Sequence, residues 1–160
     1  MLNDSVEAYA AVRDELHTWR RNEKRIVKCV LIPCIVFIKT RKSLLDQLRK
    51  QYNITSFMRD SARTQEGRRN PFAVISEAEM QTLKSMVSQD EYEVAFENTQ
   101  FTLGEHVHVI GLEFFSEMAQ IVRLPGKKES YVGVRIGQLG CAYIKVPINK
   151  VVKIKKQKSH

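Results

Sequence analysis

The sequence predicts an α+β chain: a half built of an antiparallel sheet with helices, followed by a small β-barrel. Three observations predict it. After residue 101 five short runs rich in Val and Ile follow one another at close spacing, separated by Gly and Pro. Residues 75–80 carry one strong helix start. Residues 19–38 (WRRNEKRIVKCVLIPCIVFI) join a basic polar turn to an apolar run. With 160 residues, 43% of them apolar, the chain has material for one ordinary domain or two small ones.

The elements follow in order. Residues 6–12 mix Val, Ala and Tyr and predict a strand. Residues 20–25 predict the turn of a long hairpin, and residues 26–31 and 35–38 its returning apolar strands. Pro33 lacks a ladder donor, so it marks an edge or a bulge. Leu44, Leu45 and Leu48 predict a short helix over 42–50. Residues 54–58 predict a further strand, and the polar residues 59–71 a loop. At 75–80, Ser76 is placed to accept from the amide of Glu79, and Glu79 to reach back to the amide of Ser76. Ile75 and Met80 are spaced as a staple, and Met80, Leu83 and Val87 line one face of the helix that follows. The strands of the second half are expected at 106–110, 120–124, 131–136, 142–146 and 151–154. A basic tail closes the chain.

The net charge of +8 is unevenly placed: +7 over residues 1–70, −5 over 71–101 and +6 over 102–160. Two basic segments flank an acidic one, which predicts an acidic linker over 89–101. A basic balance favours polyanions through long-range attraction and counterion release. No apolar run reaches the roughly 18 residues of a membrane span, and residues 1–5 show no basic-then-apolar pattern, so no secretion signal is expected. Cys29, Cys34 and Cys141 form no CxxC pair. Reduced thiols in a cytoplasmic protein are the expectation, with Cys29 and Cys34 as small buried hydrophobes.

No catalytic constellation stands out, and the chain is read as a non-enzyme without cofactor or metal. His106 and His108 share a strand face, but no Cys or carboxylate stands at ligand spacing beside them. No glycine-rich phosphate loop is present. The hairpin tip carries the stronger signal. Arg20, Arg21, Lys24 and Arg25 on an extended arm can follow phosphates, and Trp19 can stack on a base or pack at the arm's root. In the apolar run only alternate residues of a strand face one core, so part of it must face a helix or a partner.

These residues resemble the NusG family. Residues 6–38, with the Trp-plus-basic hairpin and IPCIVFI at 32–38, resemble the later part of the NusG N-terminal domain. VISEAEM at 74–80 resembles its last helix. LGEHVHVI at 103–110, GKK at 126–128 and VRIGQLGCA at 134–142 resemble the C-terminal KOW domain, an SH3-like barrel. The hairpin and the LGCA strand are most similar to the specialised UpxY-type paralogues of Bacteroides. The resemblance implies an N-terminal-like domain over 1–88 that lacks the family's first strand and helix, a linker over 89–101, a KOW barrel over 102–155 and a tail over 156–160. It departs from the KOW pattern at Leu112, Ser116 and Ala119, where small-turn glycines are usual.

The resemblance implies a transcription elongation or antitermination factor that binds RNA polymerase and suppresses pausing or termination, in UpxY-type relatives at capsular polysaccharide operons. Ile32, Pro33, Ile35 and Phe37 would meet the polymerase clamp, and Arg41 and Lys42 the opposite pincer. Trp19, Arg20, Arg21, Lys24 and Arg25 would lie near upstream or non-template DNA. The barrel would recruit a ribosomal protein or another factor. The alternative is a KOW-bearing module that binds RNA or the ribosome without polymerase activity. On that alternative Ile32, Ile35 and Phe37 are internal.

Overall fold

The computed structural model describes residues 6–54, 56–64, 66–115 and 118–155. The expected tail over 156–160 and the turn position Ser116 lie outside the described residues.

Strands β1 (Glu7–Tyr9), β2 (Val12–Thr18), β3 (Lys24–Val30) and β4 (Phe37–Lys39) form two antiparallel ribbons, β1 with β4 and β2 with β3. The single strand expected at 6–12 is split, because Val12 N–H donates to the Ala10 carbonyl (2.9 Å) and turns the chain there. The returning strand starts earlier than expected, at Lys24, and stops at Val30. Pro33 is exposed in the turn that follows, with Cys34 next to it at φ 62°. Pro33 therefore lies outside both ladders, and only Phe37–Lys39 of the second apolar run pairs.

A 3₁₀ turn at Lys42–Leu44 runs into α1 (Leu45–Gln51), which buries Leu48. No strand forms over 56–58; the nearest pairing is a single bridge between Arg59 and Phe72, with the Arg59 guanidinium 4.5 Å above the Phe72 ring. Helix α2 (Glu77–Ser88) begins with the expected capping box. Ser76 Oγ accepts from Glu79 N–H (3.2 Å), and Glu79 Oε2 accepts from Ser76 N–H (2.9 Å). The buried residues of α2 are Thr82, Leu83, Met86 and Val87.

The remaining strands are β5 (Val94–Glu97), β6 (Thr102–Val109), β7 (Gln120–Arg123), β8 (Ser130–Ile136), β9 (Gly140–Ile144) and β10 (Val151–Lys153). They form one antiparallel sheet in the order β10-β6-β7-β8-β9-β5. The chain is thus α+β with a mostly antiparallel six-stranded sheet. One expectation needs correction. Part of the expected linker is a strand, since β5 pairs with β9 from Val94↔Ile144 to Glu97↔Cys141. The two expected modules share one core. Ala11 and Ile32 from the first half, Leu83, Met86 and Val87 from α2, and Val107, Val134, Ile136 and Ile144 from the sheet form a single buried cluster. Among the described residues no helix is long and apolar enough to cross a membrane.

The β8–β9 turn is tied to the first half. Gly137 (φ 50°) donates its N–H to Glu79 Oε1 (3.3 Å). Gln138 donates from Nε2 to the Arg59 carbonyl (2.6 Å) and accepts from Ser61 N–H (3.0 Å) at Oε1. Glu79 therefore caps its own helix and holds the sheet turn. Ser76→Ala is expected to lower the unfolding free energy by about 1 kcal/mol, and Glu79→Ala by about 2 kcal/mol, in urea denaturation. Equal losses would mean that the bond to Gly137 contributes nothing.

Candidate nucleic-acid interface

The β2–β3 ribbon pairs from Val12↔Val30 to Thr18↔Lys24, so it is seven rungs long. Trp19 N–H donates to the Glu23 carbonyl (2.8 Å) and closes the tip. Inside the turn Arg21 (φ 70°) and Asn22 (φ 59°) both take the left-handed conformation. Asn tolerates this region, but for Arg21 it costs about 1–2 kcal/mol. Two successive left-handed residues turn the chain tightly enough to put Trp19, Arg20, Arg21, Lys24 and Arg25 at one end, all exposed. Arg25 donates to Glu23 Oε2 (3.2 Å), and its guanidinium stands 6.0 Å from the Trp19 ring. The five tip residues expected from sequence are thus brought together. As a set they offer cations for phosphates and one aromatic face for stacking.

The polymerase candidates are not brought together on one surface. Ile32 is 3% exposed and belongs to the shared core. Its assignment as a contact residue is corrected: the chain turns at 33–34 after β3, and that turn points Ile32 inward. Ile35 and Phe37 are half-buried and pack against the same core, with the Phe37 ring 6.2 Å from Tyr9. Pro33, Arg41 and Lys42 are exposed, the last two at the entry to α1. Cys34 is exposed and Cys29 half-buried, so neither is the buried hydrophobe expected.

Alternation along the ribbon separates two faces. Arg13, Glu15, His17, Arg25, Val27 and Cys29 share one face, and Arg13 Nη1 there donates to the Tyr92 carbonyl (2.9 Å) next to β5. The other face carries Val12 opposite Val30, Asp14 opposite Lys28 and Leu16 opposite Ile26. Leu16 is 63% exposed, Ile26 73% and Val30 54%. Val36, beyond the turn, is 61% exposed. The Asp14–Lys28 ion pair (3.8 Å) divides the two apolar rungs. Sequence reasoning places the apolar surface in the 30–38 run and passes over Leu16 and Ile26. The period-two pattern of VRDELHT at 12–18 is the signal that could have found Leu16. Between ribbon and α2 lies an open cleft of about 570 Å³ lined by both signs of charge, among them Arg13, Asp14, Lys28, Lys84 and Asp90.

Comparison with protein families, curated proteins and solved structures yields no match.

Replacing Arg20, Arg21, Lys24 and Arg25 together by Gln is expected to weaken duplex DNA binding and to flatten its salt dependence. Each phosphate no longer neutralised should reduce the log–log slope by about 0.9. An unchanged slope removes the tip from the interface. Arg21→Gly alone is expected to raise stability by about 0.5–1 kcal/mol while lowering DNA affinity, because it relieves the left-handed strain and deletes a cation. Thermal unfolding and a fluorescence titration measure the two effects separately.

Proposed function

We propose that this protein is a non-catalytic transcription elongation or antitermination factor, of the kind its resemblance to NusG-type and UpxY-type factors implies. In that role it binds RNA polymerase and suppresses pausing or termination, with polysaccharide operons as the target class the UpxY likeness suggests. The SH3-like, KOW-type character of the second half belongs to the same proposal. One observation carries the reading: a single two-stranded arm bears a basic, Trp-containing tip at one end and exposed apolar side chains along one face. The two surfaces suit different partners, a polyanion at the tip and a protein along the arm. The mechanism needs only binding energy, which favours the polymerase state that the factor grips over the paused one.

The protein-facing residues of this reading are Leu16, Ile26, Val30 and Val36, with Pro33, Arg41 and Lys42 beside them. A second reading, a KOW-bearing module that binds RNA or the ribosome, is favoured by one observation: Ile32 is internal, as that reading requires. Capture of RNA polymerase by wild type, Ile26→Asp and Val36→Asp separates the two. Both substituted side chains are exposed, so the fold should persist, as circular dichroism would verify. Recovery of polymerase is expected to drop at least fivefold in each. If the folded variants recover polymerase like wild type and the protein binds RNA, the first reading fails and the second stands.

A further inference from the structure

On the inward face of the β2–β3 ribbon, three side chains converge. Glu15 Oε2 lies 3.2 Å from His17 Nε2, and Cys29 Sγ lies 3.7 Å from the same nitrogen. All three donor atoms fall within 4.8 Å of one another. We propose that Glu15, His17 and Cys29 bind a divalent transition-metal ion of the zinc type, with the fourth position open to solvent.

A tetrahedral zinc ion with bonds of about 2.0–2.1 Å to N and O and about 2.3 Å to S holds its N and O ligands roughly 3.3 Å apart and its N and S ligands roughly 3.6 Å apart. The observed separations of 3.2 and 3.7 Å therefore need almost no rearrangement.

A nucleophilic Cys–His–carboxylate relay would put the thiol on one ring nitrogen and the carboxylate on the other. Here both meet Nε2. Without a metal, Nε2–H and the Cys29 thiol both have to donate to the one Glu15 carboxylate. A cation at the common point satisfies all three. Thiolate, imidazole and carboxylate together select a borderline-soft ion over calcium or magnesium.

The surrounding charges permit it. Arg13 faces Cys29 and Arg25 faces His17 across the ladder. Both guanidiniums are engaged elsewhere, Arg13 with the Tyr92 carbonyl and Arg25 with Glu23. Glu15 is already held below the usual carboxylate range by its hydrogen bond to His17, whereas its hydrogen bond to Cys29 raises that thiol, whose proton the metal must displace. A bound ion would cross-link β2 to β3 between the arm's root and its tip, and so stiffen the arm. The site stands whether or not the arm serves a polymerase.

The test is a Co2+ titration of the reduced protein. A thiolate-to-cobalt charge-transfer band that saturates at one equivalent, and is abolished by added Zn2+, is expected. Cys29→Ser should remove the band, His17→Gln should weaken binding at least tenfold, and Cys34→Ser should leave the band intact. Cys141 is buried, with its thiol pushed up to about 12 by burial, and cannot substitute as ligand. Absence of the band in wild type overturns the proposal, as does a band that survives Cys29→Ser, is lost in Cys34→Ser or is indifferent to His17→Gln.

Discussion

Helix α2 is short, and both halves of the chain are fastened to it. Its Glu79 carboxylate accepts from Ser76 N–H and Oγ–H at Oε2 and from Gly137 N–H at Oε1. One side chain therefore fixes where the helix starts and where the β8–β9 turn sits. From that anchor Leu83, Met86 and Val87 pass into a core that also takes Ala11 and Ile32 from the first half and Val134 and Ile136 from β8. Each ribbon has only two strands, and an isolated two-stranded hairpin is marginal in water. The first half holds its shape because α2 gives it a surface to bury against, and α2 is in turn held by the sheet. Lys39 adds an ion pair to Glu77 (3.1 Å) at the same helix end. This pair is exposed, so it orients β4 more than it stabilises it.

That arrangement explains the two characters of the arm. Its inward face meets the segment leading into β5, where Arg13 reaches the Tyr92 carbonyl. Its outward face leaves Leu16, Ile26 and Val30 exposed to water. The tip lies beyond the reach of the core altogether, and its left-handed Arg21 is strain that no packing gain repays locally. The two left-handed residues are what turn the chain at the tip, so the cost belongs to closing the hairpin.

Much of this is legible in sequence, and the failures have physical causes. The capping box at Ser76 and Glu79 is a local hydrogen-bond pattern, which sequence spacing specifies directly. The strands of the second half are legible because glycine and proline punctuate them. β5 is not, because Glu91, Glu93 and Glu97 dominate its segment and hide the two apolar positions, Val94 and Phe96, that turn toward the core. The shared core is likewise hidden: a charge boundary reads like a domain boundary, yet charge is a property of surfaces and says nothing about which buried faces meet. The Glu15–His17–Cys29 cluster escapes for a third reason. Glu15 and His17 are two apart in sequence, but Cys29 joins them only through the strand register.

The inward position of Ile32 constrains any partner of the arm. Exposing a core residue of this size costs about 1.5–3 kcal/mol, and a smaller cost adds for each half-buried neighbour, Ile35 and Phe37 included. A partner that gripped those three would have to overcome that cost before gaining anything. Contact with Leu16, Ile26, Val30 and Val36 carries no such penalty, because they are already in water. The ribbon also sets a distance. Val30 and Lys24 are the two ends of β3, six residues apart, which spans about 20 Å of strand. A protein seated against Val30 at the root of the arm therefore leaves Lys24 about 20 Å away, whereas one that also covers Leu16 and Ile26 comes within two rungs of it.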